Sequence, residues 1–162
     1  MQFHRQAART AVAALFVLTG FTASAQVPSY GPSIDLAWAK QAIAAGQAEA
    51  RKNNWPVAIA IFDTAGQLVA FEKMDDTQTA SVDIAMDKGR SAAIFRRPTK
   101  VFEDVVASGP GGARIIALRG ASPVEGGVPI VRGGKIIGGI GVSGVTSPQD
   151  GVVAKAGADA VK

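Results

Sequence analysis

The chain contains no cysteine and a single histidine, His4, among 162 residues. Without cysteine there are no disulfide staples and no thiolate nucleophile, and an oxidising compartment is harmless to the protein. The scarcity of histidine gains weight from the place of His4. Basic residues His4, Arg5 and Arg9 lead into an apolar run, Ala11 to Thr22, that ends in Ala23-Ser24-Ala25, the form of a secretory signal peptide. Cleavage after Ala25 leaves residues 26–162, which suit one domain with one core, and removes the only imidazole. A mature chain without His or Cys has no Ser-His-Asp triad, no His/Cys zinc site and no His-ligated haem. Any catalysis then falls to Asp, Glu, Lys, Arg, Tyr, Ser or Thr.

Long apolar runs are also missing. The run in the leader has 12 residues, short of the roughly 20 that span a bilayer as a helix, so no membrane anchor is expected after cleavage. Excess charge is equally scarce. Two of the 17 basic residues, Arg5 and Arg9, belong to the leader, which leaves 15 against 13 acidic residues and a net charge of +2. With no Lys/Arg stripe and only 6% aromatic residues, nucleic acid is not the expected partner. The expected location is the periplasm or the exterior of the cell.

What is present is regular. Gln26 to Pro32 reads as an extended lead-in, and Ser33 as the N-cap of a helix to about Asn53, with Leu36, Ala39, Ile43 and Ala50 on one core face beside Gly46. "WPVAIAIFDTAGQLVAFEKMD" reads as a β-hairpin turning at Asp63-Thr64-Ala65-Gly66. A second helix starts at Thr79 or Ser81, buries Val82, Ala85, Met86, Gly89 and Ala93, and ends at Arg96-Arg97-Pro98. Thr99 caps a short helix to about Val106. Strands follow at about Arg114 to Arg119, Val128 to Arg132 and Lys135 to Ser143, the last two joined by Gly133-Gly134. Ser147-Pro148-Gln149-Asp150 has the form of N-cap, N1 proline and capping-box acid of a final helix.

Thirteen of the 19 glycines lie between Gly109 and Gly151. Gly139, Gly141 and Gly144 match G-x-G-x-x-G, but a dinucleotide site needs a βαβ unit of about 30 residues with an acidic residue about 20 positions further on. Only 18 residues follow Gly144. The steric reading fits better: on one strand Ile136, Gly138, Ile140 and Val142 point one way, and Ile137, Gly139, Gly141 and Ser143 the other. Gly139 and Gly141 then expose bare backbone, to a packed helix or to a ligand.

"GGVPIVRGGKIIGGIGVSG" followed by "QDGVVAKAGADAV", together with "KMDDTQTASVDIAMDKGRSAAIFRRPT", resembles the closing and central motifs of the GlcG/HbpS-like haem-binding family, over most of Ser33 to Val161. The resemblance implies an α+β single domain, an antiparallel sheet of about five strands flanked by helices, similar to profilin and PAS-like modules and usually a homo-oligomer. It implies an association with haem binding or degradation, corrinoid-related proteins, or catabolism of small or aromatic acids. Members that ligate iron are expected to use histidine, and here only Met74, Met86, Tyr30 or a lysine remains. Asp76 stands where the motif leads one to expect glycine.

The candidate site residues follow from both readings. Met74 and Asp75 end a strand, a common place for binding groups, with Met74 a possible iron ligand. Lys88 matches a family lysine; if partly buried it serves as a base or anion partner, and otherwise it is an exposed lysine on a helix. Arg96, Arg97 and Thr99 suit a carboxylate or a haem propionate, or the arginines are surface charge. Gly126-Gly127 matches the family's "GGxPI" segment and offers backbone N–H groups to an anion, or only starts a strand. Gly139, Gly141 and Ser143 line the bare strip.

Three functions remain open. The first is a periplasmic small-molecule-binding module for haem or a related planar, carboxylate-bearing ligand, held between the sheet and a helix or across a subunit interface. The second is a small lyase or isomerase for an organic or aromatic acid, with Lys88 or Asp75 as proton shuttle and an arginine on the carboxylate. The third is a ligand-free oligomeric interaction protein.

Overall fold

Two hairpins build one sheet. In the computed structural model, which describes residues 26–162, β1 (Ala58–Asp63) turns into β2 (Leu68–Lys73). Asp63 holds that turn, its Oδ1 accepting the N–H groups of Ala65 and Gln67 at 2.8 Å each. β3 (Gly127–Arg132) and β4 (Lys135–Ser143) are joined by Gly133-Gly134, with φ of 56° and 73°, the mirror-image turn that glycine adopts at no steric cost. β1 pairs antiparallel with β4, giving the order β2-β1-β4-β3. The leader assigned to residues 1–25 lies outside the described residues.

Four strands stand where about five were expected. Arg114 to Arg119 is not a strand: Pro110–Ala117 forms a 3-10 segment. Its two buried positions, Gly112 and Ile115, lie three residues apart, the period of a 3-10 helix and not the two of a strand. Gly112 sits tight against the helix before it, where an added Cβ would meet the Val105 carbonyl.

α1 (Leu36–Lys52) starts at Asp35, not Ser33. The Asp35 carboxylate accepts the Trp38 N–H at 2.8 Å, while the Ser33 hydroxyl hydrogen-bonds Thr64 Oγ1 at 2.6 Å. Leu36 consequently falls outside the buried stripe, which runs through Ala39, Ile43, Gly46 and Ala50. α1 and α4 (Ser147–Asp159) cover one face of the sheet, packing on Ile59, Ile61, Ile140 and Val142.

α2 (Ser81–Phe95) covers the other face, where the sheet offers Ala58, Ala60 and Phe62. It ends at Arg96, in the left-handed region at φ 55°. In α3 (Thr99–Ala107) Pro98 takes the cap position and Thr99 opens the first turn. β4 carries a bulge opposite Ile130 and Val131: Gly138 pairs with Ile130 and Ile136 with Val131, leaving Ile137 over. The alternation therefore slips by one residue, and Ile137, rather than Ile136, joins the Ile140 and Val142 core.

The lead-in is tied down late in the chain. Tyr30 bridges to Ile136, and its hydroxyl donates toward the carbonyls of Ala93 and Ile94 at 2.9 and 3.0 Å.

Candidate functional site

β3 is an edge strand with a proline, Pro129, inside it, which the ladder tolerates only at an edge. Beside that edge, α4 and the Pro98–Lys100 corner enclose a cleft of about 680 Å³, within the usual size of small-molecule sites. Both Val128 and Pro129, and both Val131 and Arg132, border it. Neighbours in a strand point to opposite faces, so the cleft follows the edge of the sheet and not one of its faces.

The lining is apolar in the middle and charged around it. Pro98, Val128, Pro129, Val131, Ala158 and Val161 supply the apolar walls, and Lys100, Arg132, Lys155 and Lys162 the positive charge, against Glu125 and Asp159. Lys100 pairs with Asp104 and with Glu103 at 3.6 Å, and Lys155 pairs with Asp159. The hydrogen bond to Asp104 is the main cause that raises the Lys100 pKa. Arg132 lies over the Trp38 ring, 4.6 Å from its centroid, and its Nε–H donates to the Lys162 carbonyl at 2.8 Å.

The strand edge along the cleft is partly closed to another strand. In an antiparallel ladder alternate residues turn both backbone groups away from the partner, and on β3 Gly127 and Pro129 share that phase. Thr99 Oγ1 accepts the Gly127 N–H at 2.9 Å and donates to the Gly127 carbonyl at 3.5 Å, while Pro129 has no N–H. An incoming strand loses both pairings, which is how native edges resist β-addition.

Behind the Gly126-Gly127 wall lies a buried ion pair. Lys88 Nζ donates to Asp150 Oδ2 at 2.8 Å and to the Val142 carbonyl at 3.1 Å, with side-chain exposures of 1% for Lys88 and 2% for Asp150. Asp150 Oδ1 accepts the Val145 N–H at 3.2 Å. Burial pushes the Asp150 carboxyl up from its ordinary pKa, against the opposing pull of Lys88. Asp150 is thus not the capping-box acid. That box is made by Thr146 and Gln149, which frees Asp150 to turn inward.

Only glycine fits the wall in front of the pair. A Cβ on Gly126, which has φ +126°, would stand 2.8 Å from Lys88 Nζ, and one on Gly127 would stand 2.3 Å from the Lys88 carbonyl oxygen. Lys88 therefore lies one backbone thickness behind the cleft without lining it.

The other expected residues are dispersed. Gly139 and Gly141 are covered by α2, whose Gly89 and Ala85 carbonyls would lie 2.6 and 2.0 Å from added Cβ atoms, so the strip has no space for a ligand. Ser143 is buried in a hydrogen bond to Ser81 at 3.2 Å. Thr99 is buried on Gly127. Arg96 and Arg97 are exposed, 5.4 Å over Tyr30 and 5.7 Å over Phe102, and neither borders the cleft. Met74 and Asp75 follow β2 at the opposite edge of the sheet, in two shallow clefts with Arg51. Three strand spacings separate the edges, roughly 14 Å. Asp76 adopts φ 63°, the conformation for which glycine would be the ordinary choice and which aspartate tolerates.

Unforeseen were Asp150 and the cleft residues Val128, Pro129, Val131, Arg132, Lys155 and Lys162. Pro129 within an apolar run was the one local signal of an edge.

The class of protein follows from this architecture: a helix-flanked antiparallel sheet with a cleft along one edge. It is similar to the crystal structure of Klebsiella pneumoniae protein ORFY, with a TM-score of 0.75 and 27% identity, covering 84% of this chain and 95% of that one. The crystal structure of a PduOC:haem complex is similar with a TM-score of 0.73 and 26% identity, covering 80% of this chain and 96% of that one. Protein GlcG of Escherichia coli strain K12 is 47% identical over 101 residues, 62% of this chain and 74% of GlcG. The family model described as haem degrading protein HbpS-like matches residues 34–159, and the chain belongs to that family.

Proposed function

We propose that this protein is a small-ligand-binding module that takes haem, or a related flat ligand bearing carboxylates, in the cleft beside β3. The observation that carries this reading is the pairing of an apolar trough with a cationic border in one cleft of about 680 Å³. The apolar walls suit the faces of a macrocycle, and Arg132 suits a carboxylate, which guanidinium binds through paired N–H donors. A structural relative crystallised as a haem complex supports the choice of ligand class. The partly closed edge at Gly127 and Pro129 favours a small molecule over a docked strand. The leader read at residues 1–25 supports a periplasmic or secreted location. Exposed Val101, Ile116 and Leu118 offer apolar area for the homo-oligomer expected of this family.

The donor set fits haem as a flat carboxylate and does not fit it as an iron centre, because among the described residues no His, Cys, Met or Tyr borders the cleft. A haem titration followed by the Soret band tests the reading. Saturable binding near one haem per protomer is expected, weakened at least about tenfold by Val131→Glu, which sets a carboxylate on the apolar wall, and unchanged by Met74→Ala at the far edge. Absence of saturable binding rejects this function.

A further inference from the structure

Resting on that reading, we infer that the cleft recognises the flat body and the carboxylates of its ligand and is indifferent to a metal at the centre, so that a metal-free porphyrin is as good a ligand as haem. Protein ligands to haem iron are ordinarily His, Cys, Met or Tyr, and each residue of these types in the described chain is committed elsewhere. The Tyr30 hydroxyl donates into the last turn of α2. Met86 packs against the Ala58, Ala60 and Phe62 cluster. Met74 stands at the opposite edge of the sheet.

Two of the three amines of the cleft are also occupied. Lys100 is paired with Asp104 and Glu103, and Lys155 with Asp159, so neither amine faces the cleft unpartnered. Lys162 is the one cleft amine without a carboxylate partner among the described residues. What the cleft keeps for recognition is therefore its apolar walls and Arg132, which Trp38 and the Lys162 carbonyl hold in place. Both act on parts of a porphyrin that are the same with or without iron.

The experiment titrates the full chain carrying His4→Ala, so that the one imidazole of the sequence is gone, with haem, zinc protoporphyrin IX and metal-free protoporphyrin IX. Quenching of Trp38 fluorescence, read with Trp55→Phe so that Trp38 is the one indole, reports a ligand beside Arg132, and the Soret band reports the iron. The three affinities are expected to agree within about threefold, and Arg132→Glu is expected to weaken all three by a similar factor, about tenfold or more, as loss of a charge-assisted carboxylate contact requires. A preference for haem of about a hundredfold or more overturns the inference and leaves the cleft reading intact. Abolition of that preference by Lys162→Gln would name the iron ligand. Binding of none of the three rings overturns both.

Discussion

On the face covered by α1 and α4, β1 and β4 present Ile59, Ile61, Ile140 and Val142; on the face under α2 the same strands present Ala58, Ala60, Gly139 and Gly141. The first face stabilises by area, at about 1.5 to 3 kcal/mol for each large side chain taken out of water. The second has little side chain to bury beyond Phe62, and at Gly139 and Gly141 it brings a helix backbone almost onto the strand. That close approach lets polar groups be enclosed together: Lys88, Ser81, Ser91, Ser143 and Thr99 are all buried around α2. An ammonium group is most costly where no water can reach it, and Lys88 is met there by the Asp150 carboxylate from the first turn of α4 and by the Val142 carbonyl of β4. The comparison teaches that the two faces should fail for opposite reasons.

The largest effect is expected at the ion pair. Asp150→Ala leaves the Lys88 ammonium buried and unpaired, which costs about 3 to 5 kcal/mol, whereas a matched apolar replacement, Lys88→Met with Asp150→Leu, is expected to recover most of the loss. Urea unfolding of the three proteins measures this, and a double variant no more stable than Asp150→Ala would contradict it.

Next come two substitutions on opposite faces, one removing carbon and one adding it. Ile140→Ala opens a cavity against α1 and α4 and is expected to cost about 2 to 5 kcal/mol. Gly141→Ala adds one methyl where Ala85 O and Gly89 N already crowd the site, and about 1 to 3 kcal/mol is expected, since overpacking also destabilises. Thermal or urea midpoints check both. A harmless Gly141→Ala would mean that α2 rides more loosely than these distances allow.

The smallest effect is a pH dependence with an unusual sign. The folded Asp150 carboxyl sits above its ordinary value of 3.8, so between that value and the raised one the native state binds more protons than the unfolded chain. Stability contributed by this group therefore rises as pH falls through that window, and its ionisation penalty is fully present above it. The stability of the native protein minus that of Asp150→Asn should grow as pH is lowered from 7 toward 4. A difference that shrinks would mean that the pull of Lys88 outweighs burial.

Much of this fold was legible because local signals agreed. The Asp63 to Gly66 and Gly133-Gly134 turns sat between apolar runs, and Arg96-Arg97-Pro98 marked the end of α2 correctly. The misreadings came where one residue type suits two roles. Ser33 and Asp35 are both good caps, and contact with Thr64 drew Ser33 away. Thr146-Ser147-Pro148-Gln149 is itself a capping box, and reading it so would have left Asp150 without a surface role. Ser81, Ala85, Lys88 and Ala92 follow the i, i+4, i+7, i+11 spacing of a buried stripe; a lysine there hides the pattern because its type argues for solvent. Of the cleft, only the Gly126-Gly127 motif and Pro129 could be read locally. Pro98 and Lys100, the β3 strand and the end of α4 meet only in space.

The tie at Tyr30 has a bearing on the order in which the molecule is completed. Its hydroxyl partners lie 63 and 64 residues downstream, and its backbone neighbour Ile136 is further still. Contacts so distant along the chain form only after long loops have closed. On a growing chain, residues 26–32 emerge before every element they rest on: the Tyr30 hydroxyl has no partner until the end of α2 is made, and the bridge to Ile136 none until β4 is. The first part of the domain to be synthesised is thus among the last to find its seat.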